Sequence, residues 1–227
     1  MKSLLIKFLL VCATLLSFSL LMKWYVAVAV LAMVFIHEQG HLKAAYDCGL
    51  EAQGMYFIPF MGGIANISGY GFYQEDDFMV AIMGPIYGLI CSIIMFASYL
   101  ATDIQLYGQF AKIFAIVNIF NLMPIFPLDG GRIWKSLSFS ICGFCGFLFF
   151  SISLCLCIFL WHFSFIFFFF AYISYLQFLS EIKSPRDKIK LPFFRLLASF
   201  FIYFSTVFIF GVIIYTCDIP VDNLFNK

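Results

Sequence analysis

Trp24-Tyr25-Val26-Ala27-Val28-Ala29-Val30-Leu31-Ala32-Met33-Val34-Phe35-Ile36-His37-Glu38-Gln39-Gly40-His41 is the stretch that decides how this chain is read. The residues from Trp24 to Ile36 are all apolar and predict a helix of membrane type. The H-E-x-x-H string that follows places two histidines four residues apart, so on a helix both imidazoles leave the same face and can share a metal. Imidazole nitrogens suit Zn²⁺, and the intervening glutamate can take a proton from a metal-bound water. Two of the three histidines and one of the four glutamates are spent here. The plainer alternative is a helix end where polar groups meet the headgroups. Ionisable residues inside a span are costly, however, and mark functional sites.

Composition sets the surroundings of that string. The chain of 227 residues is 64% hydrophobic and 11% charged, with 33 phenylalanines and a mean hydropathy of +1.02. Soluble domains run nearer half apolar and a quarter charged, so this chain belongs in a bilayer. A net charge of +1 gives no footprint for nucleic acid. The eight cysteines read as small hydrophobes of apolar spans. Cys142 and Cys145 form a C-x-x-C, but no second pair stands at zinc-ribbon spacing, and packing is the expected role.

The expected fold class is an all-α polytopic membrane protein. Stretches near twenty apolar residues give about seven transmembrane helices, at residues 4–22, 24–44, 78–100, 106–123, 139–160, 163–179 and 193–215. A short hairpin or re-entrant segment is expected between the second and third, where Gly54, Pro59, Gly62, Gly63, Gly69 and Gly71 interrupt aromatic and β-branched residues. The whole chain reads as one integral-membrane domain, with a catalytic core at about 24–137 and additional membrane helices at about 138–216. Lys2 and Lys7 ahead of an apolar run also resemble a signal peptide, but without a small-residue cleavage site a retained span is the expectation.

Charge orients the spans. Lys183, Arg186, Lys188, Lys190 and Arg195 make the loop before the last span the most basic segment, which places it in the cytoplasm. Counting back, the metal string falls toward the cytoplasmic face, as do Arg132 and Lys135. Asp103 and the Asp218/Asp222 tail fall on the other side.

A catalytic zinc usually has three protein ligands and an open position. His162 and Asp103 are the wrong side of about 30 Å of hydrocarbon, and His162 beside Trp161 reads as interfacial. Asp129 is on the correct side, in Asn121-Leu122-Met123-Pro124-Ile125-Phe126-Pro127-Leu128-Asp129-Gly130-Gly131-Arg132. Prolines and glycines break the helix there, and broken backbone at membrane depth lines protein or a wet cavity. From the residues alone, Asp129 is either the third ligand or the cap of the next helix.

Taken together, H-E-x-x-H on an early span and Asn-x-x-Pro…Leu-Asp-Gly-Gly on a later one resemble the site-2 protease family of intramembrane zinc metalloproteases. Phe57-Ile58-Pro59-Phe60-Met61-Gly62-Gly63 and Met83-Gly84-Pro85 are also similar to that family. Phe126 departs from a frequent proline-rich version without altering a ligand. The loops are too short for PDZ or CBS domains, so the chain looks like a minimal form. Met83-Gly84-Pro85 itself is read as a packing or kink feature.

The resemblance implies a zinc endopeptidase that hydrolyses a peptide bond within or near the transmembrane segment of a membrane-protein substrate. Its implied metal ligands are His37, His41 and Asp129, with Zn²⁺ as cofactor and Glu38 as the catalytic residue acting on zinc-bound water. Asn121 matches the family's asparagine and is implied to bind substrate. The partners are then a substrate's transmembrane segment and the lipid bilayer, with no nucleic acid. A bacterial plasma membrane, with the site toward the cytoplasm, is the expected location. The rival reading is a catalytically inactive protein of the same fold that binds membrane helices. A metal transporter would instead distribute polar residues across the bilayer.

Overall fold

The computed structural model describes residues 2–59, 62–68, 73–162, 164–183, 189–217 and 219–225. Phe60, Met61, Gly69, Gly71, Arg186, Lys188 and Asp218, all used above, lie outside the described residues. The elements in chain order are α1 (Lys2–Leu21), α2 (Trp24–Asp47), β1 (Glu51–Ile58), β2 (Gly62–Ser68), α3 (Gln74–Thr102), α4 (Gln105–Asn121), α5 (Asp129–Ile141), α6 (Gly143–Leu160), α7 (Ile166–Lys183) and α8 (Phe193–Thr216).

Four of these helices, α2, α3, α6 and α8, are long and apolar enough to cross a membrane. The all-α membrane class therefore stands, with four such helices among the described residues against about seven expected. Two of the others, α1 and α7, carry shorter apolar stretches, Ile6–Leu21 and Ile166–Ile182. The expected span at 139–160 is corrected: it straddles a break. Cys142 is extended (φ −161°, ψ 158°), so α5 stops at Ile141 and α6 starts at Gly143. The outer surface fits lipid. Phe194, Phe201, Phe208 and Tyr215 recur every seven residues along one face of α8 and are 83, 74, 70 and 86% exposed, an apolar stripe that water would not tolerate.

The chain divides into two compact units. The first comprises residues 1–68, 83–119 and 206–227. Its core joins Val26, Val30 and Met33 of α2 with Ile113 and Phe114 of α4 and with Leu224 of the tail. That α2 stripe advances by four and three residues, the period of a helix face, and continues into His37 and His41. After α2, β1 and β2 pair antiparallel from Glu51↔Ser68 to Ile58↔Gly62, with an irregularity between Ala52 and Gly54. Gly54 takes φ 102° there, a conformation that favours a residue without Cβ.

The second unit comprises residues 69–82 and 120–205. Glu75, Asp76 and Asp77 occupy the first turn of α3, where carboxylates oppose the helix dipole. Ile125, Cys157, Phe167 and Phe170 form its core. Much of the phenylalanine is used edge-on: Phe150 meets Phe126, Phe139 and Phe178 at centroid distances of 5.8, 6.3 and 6.3 Å. Such geometries set ring edges against ring faces.

Candidate metal centre

In the first unit the histidine pair is built by the last three turns of α2. His37, Glu38 and His41 are all buried. The His37 and His41 Nε2 atoms lie 3.1 Å apart. Two ligands about 2.0–2.1 Å from a tetrahedral zinc stand about 3.3 Å from each other, so the pair is spaced as metal ligands are.

Asn118 on α4 orients the pair. Its Oδ1 lies 2.9 Å from His37 Nδ1, while its Nδ2 donates to the Phe114 carbonyl at 2.8 Å. With the amide nitrogen committed as donor, Oδ1 must accept, so Nδ1 carries the imidazole proton and Nε2 keeps its lone pair for a metal. Asn118 is fully buried, and only pairing of this kind makes a buried amide tolerable. Sequence reading passed over this residue.

Glycines make the room. A Cβ on Gly84 of α3 would collide with His41 Nε2 and stand 2.8 Å from His37 Nε2. One on Gly88, a turn later, would collide with Asn118 Oδ1, and one on Gly40 would strike the Met83 carbonyl oxygen. The reading of Met83-Gly84-Pro85 as packing alone is thus incomplete, because its glycine faces the imidazoles themselves. On the hairpin side, a Cβ on Gly63 of β2 would fall 2.5 Å from Glu38 Cγ. The strand therefore lies directly on the glutamate.

In the second unit Asp129 is the first residue of α5, after Leu128 at the cap position. Backbone groups of the broken segment before it find partners within the second unit. Tyr203 donates to the Leu122 carbonyl at 2.7 Å. The Phe126 N–H donates to Ser153 Oγ at 3.1 Å, and the Leu128 N–H to the Ile125 carbonyl at 2.9 Å. Gly130 and Gly131 permit the fold-back: a Cβ on either would overlap the Leu122 or Ile125 carbonyl. That close approach is the physical reason for a double glycine after the aspartate.

The histidine pair thus belongs to the first unit, and Asp129 to the second. His162 is exposed in the turn after α6, its ring centroid 5.1 Å from that of Trp161. Asp103 is exposed and takes φ 56° in the turn after α3. Asn121 closes α4 and is half-buried.

Comparison with known proteins agrees with this geometry. Residues 25–105 match the family model for peptidase family M50. The chain is 29% identical over 109 residues to zinc metalloprotease MJ0392 of Methanocaldococcus jannaschii, a match covering 46% of this chain and 31% of that one. It is 29% identical over 109 residues to stage IV sporulation protein FB of Bacillus subtilis, covering 45% of this chain and 36% of the relative. The matched part thus spans about a third of the length of these relatives. In its H-E-x-x-H helix, its asparagine-held histidines and these matches, the chain is similar to peptidase family M50, the site-2 protease family.

Proposed function

We propose that this protein is an intramembrane zinc endopeptidase, and that His37, His41 and Asp129 hold the metal. The observation that carries the reading is the histidine pair, with Nε2 atoms 3.1 Å apart at the buried end of a helix long and apolar enough to span a membrane. Bound there, Zn²⁺ would supply Lewis acidity and lower the pKa of water to about 7. Glu38 sits between the two ligands on the same helix and takes the proton of the attacking water, then passes it to the leaving amine. Asn118 holds His37 in the tautomer that presents Nε2. Asn121, at the end of α4, hydrogen-bonds the substrate backbone.

The substrate is the transmembrane segment of a membrane protein, unwound locally so that its peptide bond is reachable. β2 supports this, since it lies on Glu38 through Gly63 and, among the described residues, pairs only with β1. An extended chain added to such a strand gains main-chain hydrogen bonds beside the glutamate. In this reading α1, α4 and α7 also cross the bilayer, giving seven spans. The basic loop then faces the cytoplasm of a bacterial plasma membrane, with the metal centre toward that side.

A pure helix-binding protein would have no use for a buried glutamate between two metal-type histidines. Co-expression with single-span membrane proteins tests the choice. Zinc-dependent cleavage within or beside the span supports the peptidase. Capture of intact substrates without cleavage supports the binder.

A further inference from the structure

Cys142 and Cys145 do more than fill space. Cys142 is the extended residue that separates α5 from α6, and its Sγ accepts the Cys145 N–H at 3.1 Å, capping α6. The two sulfurs lie 2.7 Å apart. Both side chains are half-buried, and a Cβ on the intervening Gly143 would meet nothing within 4 Å, while Phe144 is 76% exposed. The corner is therefore not covered by other described parts of the chain. Lys190, itself exposed, donates to the Ile141 carbonyl at 3.3 Å and brings a cation to the same corner.

We propose that Cys142 and Cys145 are a redox-active dithiol that closes to an intramolecular disulfide by exchange with a glutathione-type or protein disulfide. A thiolate is the nucleophile in such exchange, and a helix N-terminus with a nearby lysine favours it. Cys142 has that position. The Cys145 thiol, and then the Cys145 N–H, hold the Cys142 thiol below its ordinary value. The Cys142 thiolate attacks one sulfur of the incoming disulfide, an S–S bond forms and one thiolate leaves. Cys145 then gives up its proton and attacks the Cys142 sulfur, and the second thiolate departs. Two cysteine thiols are oxidised and one disulfide is reduced to two thiols.

Closure covalently bridges the residue that ends α5 to the first turn of α6. Because α5 begins at Asp129, the bridge stiffens the far end of the helix that carries the proposed third ligand. The dithiol assignment itself does not depend on the peptidase reading.

The test equilibrates the full-length protein in detergent with glutathione buffers of graded ratio, quenches with acid, alkylates and maps modified peptides by mass spectrometry. The expected result is that the Cys142/Cys145 peptide loses both alkylation sites together, two mass units lighter, and regains them with dithiothreitol. Cys145→Ser should trap glutathione stably on Cys142. Cys142→Ser should acquire glutathione on Cys145 at least about tenfold more slowly. Independent loss of the two sites, a stable glutathione adduct on wild-type Cys142, or equal trapping in both variants would each overturn the proposal. The wild-type peptide alone decides the matter if a variant fails to fold.

Discussion

Asn118 Oδ1 accepts a hydrogen bond from His37 Nδ1 at 2.9 Å, linking two helices whose residues stand 81 positions apart in sequence. The amide fixes which nitrogen of His37 faces a metal. Its other end is anchored on the Phe114 carbonyl, so it cannot turn over without breaking a second bond. Asn118→Ala should weaken zinc binding by about 10- to 100-fold, the usual cost of losing the partner behind a ligating histidine. Competition against a fluorescent chelator measures this. An unchanged affinity would remove Asn118 from the site.

Gly84→Ala should reduce zinc content and activity together, because the new methyl would occupy the place of His41 Nε2. Overpacking of this kind costs about 1–3 kcal/mol of stability. Gly211→Ala is the control, as its Cβ would meet nothing within 4 Å. Metal analysis of both purified variants, beside a thermal melt, separates loss of the site from loss of the fold. Full zinc in Gly84→Ala would mean that α3 does not press on the histidines.

Asp129→Ala should lose zinc and activity, whereas His162→Ala should keep both. Asp129, the first residue of α5, is the proposed third ligand, while His162 lies in an exposed turn beside Trp161. Metal content by emission spectroscopy answers directly. Zinc retained in the first variant and lost in the second would overturn the ligand assignment.

A cysteine introduced at Lys190 should label with an impermeant maleimide only from the cytoplasmic side, and one at Asp222 only from the opposite side. The background is a protein whose eight native cysteines have been replaced. Labelling of both from one side would show that α8 is not a full crossing.

The parts of this protein that local pattern determines were legible in the sequence. His37 and His41 could be placed on one face, with Glu38 beside them, because helix periodicity and an apolar run fix it. The broken segment before Asp129 could be read because Pro124, Pro127 and the double glycine have few other uses. Asn118 could not be placed, since its importance lies in a contact with α2 that no spacing reveals. The one signal was an amide between Val117 and Ile119, a costly insertion in an apolar helix. Asn121, three residues on, drew attention through its motif instead. Gly84 was visible as a packing glycine, but its neighbours, the imidazoles of another helix, were not. The corner at Cys142 was missed because hydropathy runs smoothly through Phe139 to Leu160 and does not register a cap made by a cysteine sulfur.

The central claim is that Glu38 performs proton transfer beside a zinc held by other residues. The direct measurement is cleavage of a single-span substrate by purified Glu38→Gln protein, with zinc content determined on the same sample. The account predicts zinc equal to that of the parent and a rate lower by about 10²- to 10⁴-fold, the range for loss of a general base. Cleavage at the parent rate by the zinc-loaded variant would contradict it.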